Sequence, residues 1–162
     1  MATNLNADRC SSSMQLTRAA DYAVRVMIFL ASDACADRAA LGTIVRATGA
    51  PESFLSKVLQ GLTRAGLITS RRGPAGGFEI SPLGRLASVR DVVEAIDGPI
   101  SLNVCVSVRP SCARIGWCPT HPVWAKAQRA VMDVLRNAMI ADLASSGQEI
   151  SPVAQADTVT RG

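Results

Sequence analysis

The sequence predicts a mainly α fold: a winged helix-turn-helix extended by one long C-terminal helix. Three observations carry that prediction. Apolar residues recur at helical spacing in successive segments up to residue 65, two short alternating segments follow around a Gly/Pro-rich turn, and residues 123–144 are then free of glycine and proline.

Thr17 is an expected N-cap, and Ala20, Ala23, Met27 and Leu30, widened by Val24, Val26 and Ile28, form one apolar stripe. They predict a first helix running to about Ala34. A short second helix is expected from Leu41 to Thr48, where Leu41, Ile44 and Val45 share a face and Gly49 supplies the stop. Ala50-Pro51-Glu52 begins a third, because proline is tolerated in the first helical turn and a glutamate there meets the positive end of the helix dipole. Its inward face is Phe54, Leu55, Val58, Leu59 and Leu62; Ser53, Ser56, Lys57, Gln60, Thr63 and Arg64 face outward.

Past Ala65-Gly66 the periodicity changes. "LITS" and "FEIS" read as two strands, with "RRGPAGG" as the hairpin tip. "SVRD", from Ser88 to Asp91, has the form of a capping box and opens a helix to about Ile96, ended by Asp97-Gly98. From Pro122 to about Ala144, Val131, Val134, Leu135, Ala138 and Leu143 continue a helical stripe for about 33 Å. A helix that long has more apolar face than so small a domain can cover, which predicts a dimerisation helix and a homodimer.

The domain organisation follows. Residues 1–13 form a polar, aperiodic arm expected to be disordered and containing Cys10; 14–98 form the winged helix-turn-helix domain, 99–121 a cysteine-containing loop, 122–144 the dimerisation helix and 145–162 a disordered tail. At 162 residues and 48% hydrophobic content the chain can build a proper single core. Its longest apolar run, Ala23 to Ala31, is broken by Arg25, and no signal peptide opens the chain. The expectation is a cytoplasmic protein with no membrane partner, and five cysteines, an odd number, suit such a reducing compartment better than a disulfide framework.

Charge indicates the partner. The chain carries +4 overall, and between Ser53 and Phe78 lie Lys57, Arg64, Arg71 and Arg72 with no acidic residue. Such a surface matches a phosphate backbone, although a solvated helix face gives the same pattern. Aromatic residues are only 4%, which argues against a platform that stacks single-stranded bases, and the winged helix-turn-helix order makes a double-stranded DNA operator the expected partner. The second helix of a helix-turn-helix pair enters the major groove, which makes Ser53, Ser56 and Lys57 candidates for base contact; Arg71 and Arg72 on the wing are candidates for a narrow minor groove. An enzyme is not expected. There is one histidine, and "GPAGG" belongs to a hairpin rather than to a phosphate-binding strand-to-helix turn.

Residues 105 to 121, "CVSVRPSCARIGWCPTH", hold three cysteines and the sole histidine. The spacing C-x6-C-x5-C-x2-H lacks the two close pairs of a zinc knuckle and leaves an iron–sulfur cluster and zinc both open, ahead of inert core thiols. Arg109 and Arg114, with no acidic residue in the segment, favour thiolates and an anionic cluster. Cys35 is expected to pack as a small apolar residue.

"LTRAADYAVRVMIFLA", "ESFLSKVLQGLTRAGLITSRRGPAGGFEIS" and "VRDVVEAIDG" together resemble the Rrf-two family of bacterial winged-helix transcription regulators, the IscR/NsrR/RirA-like proteins, across about Met14 to Leu143. The resemblance implies a DNA-binding regulator controlled by an iron–sulfur cluster that senses nitric oxide, iron, cluster supply or redox state. It places Ser53, Ser56 and Lys57 on base-contacting positions and Arg72 on the wing arginine; Ser56 replaces a glutamate that tunes site choice in some members, so their operator does not transfer. It also implies Cys105, Cys112 and Cys118 as ligands. The fourth is His121 if the cluster is of the favoured two-iron type, 2Fe-2S, or Asp21 of the partner subunit if it is of the four-iron type, 4Fe-4S. The alternative is a cluster-free or zinc-bound regulator that acts through thiol redox chemistry or a protein partner.

Overall fold

The computed structural model describes residues 16–35, 37–73, 76–108, 110 and 112–146. The expected N-terminal arm with Cys10 and the tail beyond residue 146 lie outside these residues, as does Arg109 in the cysteine segment.

Helix α1, Arg18–Ala31, begins where the Thr17 hydroxyl accepts from the Ala20 amide at 3.2 Å. It stops three residues short of the expected Ala34, because Ser32 becomes extended and both its N–H and its hydroxyl donate to the Phe29 carbonyl. Helix α2, Leu41–Thr48, ends at Gly49, whose φ of 68° is the left-handed conformation that favours glycine. Helix α3, Glu52–Arg64, follows with Pro51 just outside it as the N-cap residue. Leu55, Val58, Leu59 and Leu62 are buried, each such side chain contributing about 1.5–3 kcal/mol. Phe54 was expected inside with them but is 36% exposed; it sits in the first turn, at the rim of the core, edge-on to the Tyr22 ring.

Strands β1, Ile68–Arg71, and β2, Gly77–Ile80, pair antiparallel with Ile68 opposite Ile80 and Arg71 opposite Gly77. Arg71 is thus the last paired residue of β1 rather than part of the hairpin tip, and Arg72 stands just beyond it. Ala39 and Phe78 exchange two backbone hydrogen bonds at 2.9 Å, which fasten the wing to the segment before α2. The short helix α4, Pro82–Arg85, was not foreseen: Ser81 caps it by accepting from the Gly84 amide while donating to the Gly66 carbonyl. Helix α5, Val89–Asp97, carries the complete capping box expected at Ser88 and Asp91.

The C-terminal helix departs from expectation. It is two helices, α6 (His121–Asn137) and α7 (Ile140–Ser145), rather than one from 122 to 144. At the break Ala138 takes extended backbone and accepts from the Val89 amide at 2.8 Å, while the Ile140 amide donates to the Ala87 carbonyl at 3.0 Å. This exchange turns the chain so that Ile140 is fully buried in the core, and α7 packs on α1 and α4. Helix α1 is the central post, in contact with α2, α3, α5 and α7. Together these elements make a mostly helical winged helix-turn-helix, and α6, which has no fully buried residue, packs along α5 and the segment 104–106.

Candidate nucleic-acid interface and cysteine loop

Helix α3 and the wing enclose a cleft of about 590 Å³. Its floor is apolar, with Leu41, Leu59 and Phe78, and its walls carry Ser56, Arg64, Arg71 and Arg72 among other polar groups. Ser56, Arg71 and Arg72 are therefore brought together. Ser53 and Lys57 are exposed on α3 but do not line this cleft; Lys57 lines a second one, of about 360 Å³, between α3 and α5. Arg64 borders both clefts and was not among the site residues read from the sequence. Its signal was present, since it belongs to the acid-free run from Ser53 to Phe78. The Ser56 hydroxyl donates to the Glu52 carbonyl at 3.1 Å, one turn back along its own helix, and still has lone pairs to offer outward.

The cysteine segment leaves α5 at Gly98 and returns at α6. A 3₁₀ turn, Val104–Val106, buries Cys105. From Cys112 the backbone runs through consecutive turns: the Ile115 amide donates to the Cys112 carbonyl, the Cys118 amide to that of Arg114, and the His121 amide to that of Cys118. Cys112 and Cys118 are half-buried and free. Cys118 Sγ lies 3.1 Å from the Thr120 hydroxyl; that side chain, followed by the Thr120 and His121 backbone amides and the charge of Arg114, holds its thiol below the ordinary range. Burial pushes the Cys35 thiol up, and the residue packs in the hydrophobic core.

His121 is the first residue of α6, and its Nδ1 is buried with no hydrogen-bond partner among the described residues. An orphaned ring nitrogen and three free thiols are the donor types that suit a soft metal or an iron–sulfur cluster. In arrangement they do not yet fit: among the described residues no group of three or more His, Cys, Asp or Glu stands close enough to hold a metal. Asp21 is on α1, exposed, and paired with Arg25 at 3.0 Å, and is not gathered with two or more of the described donors in its own chain.

Comparison with known proteins now decides the family. The family model described as "Rrf2: Iron-dependent Transcriptional regulator" matches residues 16–146. The chain belongs to the Rrf2 family. It is similar to Protein aau3 of Rhizobium meliloti, 31% identical over 85% of this chain and 90% of that one, and to the HTH-type transcriptional regulator IscR of Pectobacterium atrosepticum, 28% identical over 91% and 90%. Among solved structures it is similar to CymR, the global cysteine regulator of B. subtilis, with 26% identity, 81% of this chain and 96% of that one covered, and a TM-score of 0.64. T. potens IscR has the same fold, with a TM-score of 0.66 at 24% identity over 87% and 93% of the two chains. This Rrf2 protein is thus a transcriptional regulator, and no helix among its described residues is long and apolar enough to cross a membrane.

Proposed function

We propose that this Rrf2 protein is a homodimer that reads a pseudo-palindromic duplex operator with two α3 helices and two wings, and that an iron–sulfur cluster on the cysteine loop sets its affinity. The observation that carries the sensing role is the donor set. Cys105, Cys112 and Cys118 are free, Cys118 is biased toward thiolate, and His121 has a buried Nδ1 with no partner among the described residues. When bound, such a cluster supplies a redox couple and sensitivity to nitric oxide, oxidants and iron supply. Cys105, Cys112, Cys118 and His121 would hold the group only if the loop drew them together, and because His121 begins α6 that movement would reach the helix directly. His121 is the favoured fourth ligand and the two-iron type the favoured cluster. Asp21 of the partner subunit would complete a four-iron type only by leaving its own Arg25.

Dimerisation falls to α6. Val123, Ala130 and Val134 recur on one face of it, and the two valines are 66% and 69% exposed, an apolar stripe that a second copy would cover. Base contact falls to Ser53, Ser56 and Lys57, and phosphate or minor-groove contact to Arg71 and Arg72 with Arg64 added. A cytoplasmic location agrees with these roles.

One observation favours a second reading. Since no three donors are gathered among the described residues, a cluster-free regulator would respond through the Cys118 thiol alone, or through a protein partner. Single replacement of Cys105, Cys112 and Cys118 by alanine separates the two readings. The expected outcome is loss of bound iron, sulfide and visible absorbance, with the dimer retained in light scattering. A wild-type protein that is colourless after anaerobic purification supports the cluster-free reading instead.

A further inference from the structure

Gln128 lies in the middle of α6, seven residues after His121, so the two share a face of the helix about 10.5 Å apart. Both ends of its amide bond to one short stretch of chain. Oε1 accepts from the Leu102 amide at 2.9 Å, and Nε2 donates to the Ile100 carbonyl at 2.8 Å. A side chain here plays the part of a neighbouring strand, gripping a segment that belongs to neither helix.

That segment joins two working parts of the molecule. Downstream it leads within three residues to the buried Cys105. Upstream it leaves α5, and the Ile100 amide reaches back to Glu94 Oε1 at 3.4 Å; the other Glu94 oxygen holds Arg90 at 3.1 Å. Helix α5 in turn lies close against α3: a Cβ on Gly61 would come within 2.8 Å of Ile96 Cδ1. A displacement of residues 100–102 therefore has a continuous, tightly packed route to the DNA-reading helix, and Gln128 is what ties those residues to α6.

We propose that Gln128 is a positioning residue that fixes the start of the cysteine loop on α6 and couples a rearrangement of that loop to α3 through α5. This rests on the reading of the loop as the regulatory element, and not on which group the loop binds.

The test is a double-mutant cycle between Cys105→Ala and Gln128→Leu in the full chain. It is read as the Kd for a labelled duplex selected from a random-sequence pool by the wild-type protein, with melting temperature and dimer mass as fold controls. The expected result is that Cys105→Ala changes Kd by about five-fold or more when Gln128 is present, and by less than about two-fold when it is leucine. A purely structural role would shift Kd without altering the effect of the cysteine. Equal factors in the two backgrounds, or no effect of Cys105→Ala in either, overturn the proposal. Where Gln128→Leu does not fold, Gln128→Glu takes its place under the same criteria, since it keeps the acceptor for Leu102 and loses the donor to Ile100. Iron and sulfide are counted in the same samples: colourless protein with a non-additive cycle removes the cluster and leaves the role of Gln128 standing.

Discussion

Arg38 and Glu79 close a 2.7 Å ion pair between the segment before α2 and the second strand of the wing. The same carboxylate accepts from the Thr69 hydroxyl at 2.9 Å, so one side chain links the two strands to each other and to the body of the domain. A two-stranded hairpin has little stability alone, and the Glu79 contacts with the Ala39–Phe78 bridge hold this one in place.

These contacts predict an acid response. The Thr69 hydroxyl, then Arg38, lowers the pKa of Glu79, and the Ser88 hydroxyl lowers that of Asp91. A carboxyl whose folded pKa is depressed contributes stability that is fully present above its unfolded value, about 4, and is lost as pH falls through the folded one. Urea midpoints measured downward from pH 6 should therefore fall in the acid range, and Glu79→Gln with Asp91→Asn should flatten the curve. A slope unchanged by the pair of substitutions would assign the acid response to other groups.

Ser88 predicts a stability loss independent of DNA. Its hydroxyl accepts from the Asp91 amide at 3.3 Å, and Asp91 Oδ2 accepts from the Ser88 amide at 2.8 Å. Ser88→Ala should cost about 1 kcal/mol in denaturant unfolding, with the operator affinity of the folded protein unchanged.

Much of this was legible in the sequence, and the misses share a cause. The helix-turn-helix, the hairpin and the capping box are set by local signals, namely periodicity, Gly49, the glycines of the wing and the Ser88–Asp91 pair. The break between α6 and α7 was not legible, because Ala138 and Met139 are ordinary helix formers and what opens the helix is a pairing with Ala87 and Val89, some fifty residues away in sequence. Phe54 was misplaced for a related reason: it has helical spacing but sits where the core runs out. At the candidate site, charge marked the basic run that borders the clefts beside α3, whereas the described loop donors, neighbours in sequence, are not gathered in space. Neither charge nor spacing could find Gln128, whose partners are backbone atoms.

The clefts beside α3 predict a graded loss of DNA affinity. Arg72→Ala and Arg64→Ala should each weaken binding and lower the magnitude of the salt slope by about 1 if the side chain neutralises a phosphate. For Arg72 a relaxed A·T preference at an unchanged slope would instead indicate minor-groove reading. Unchanged affinity, slope and preference would remove the residue from the interface.

Exposed Val134 predicts the assembly. Val134→Asp places a charge in the stripe expected to pair with a second α6, and sedimentation should show a monomer with the helical content of the parent. A dimer of unchanged affinity would locate the interface elsewhere.

The most direct measurement compares operator affinity before and after anaerobic cluster loading, with iron and sulfide counted per chain. The prediction is a coloured dimer with bound iron and sulfide, whose Kd differs from that of the cluster-free form by about five-fold or more. Equal Kd values for the two forms, or a protein that binds operator but takes up neither iron nor sulfide, would contradict control by a cluster on the loop from Cys105 to His121.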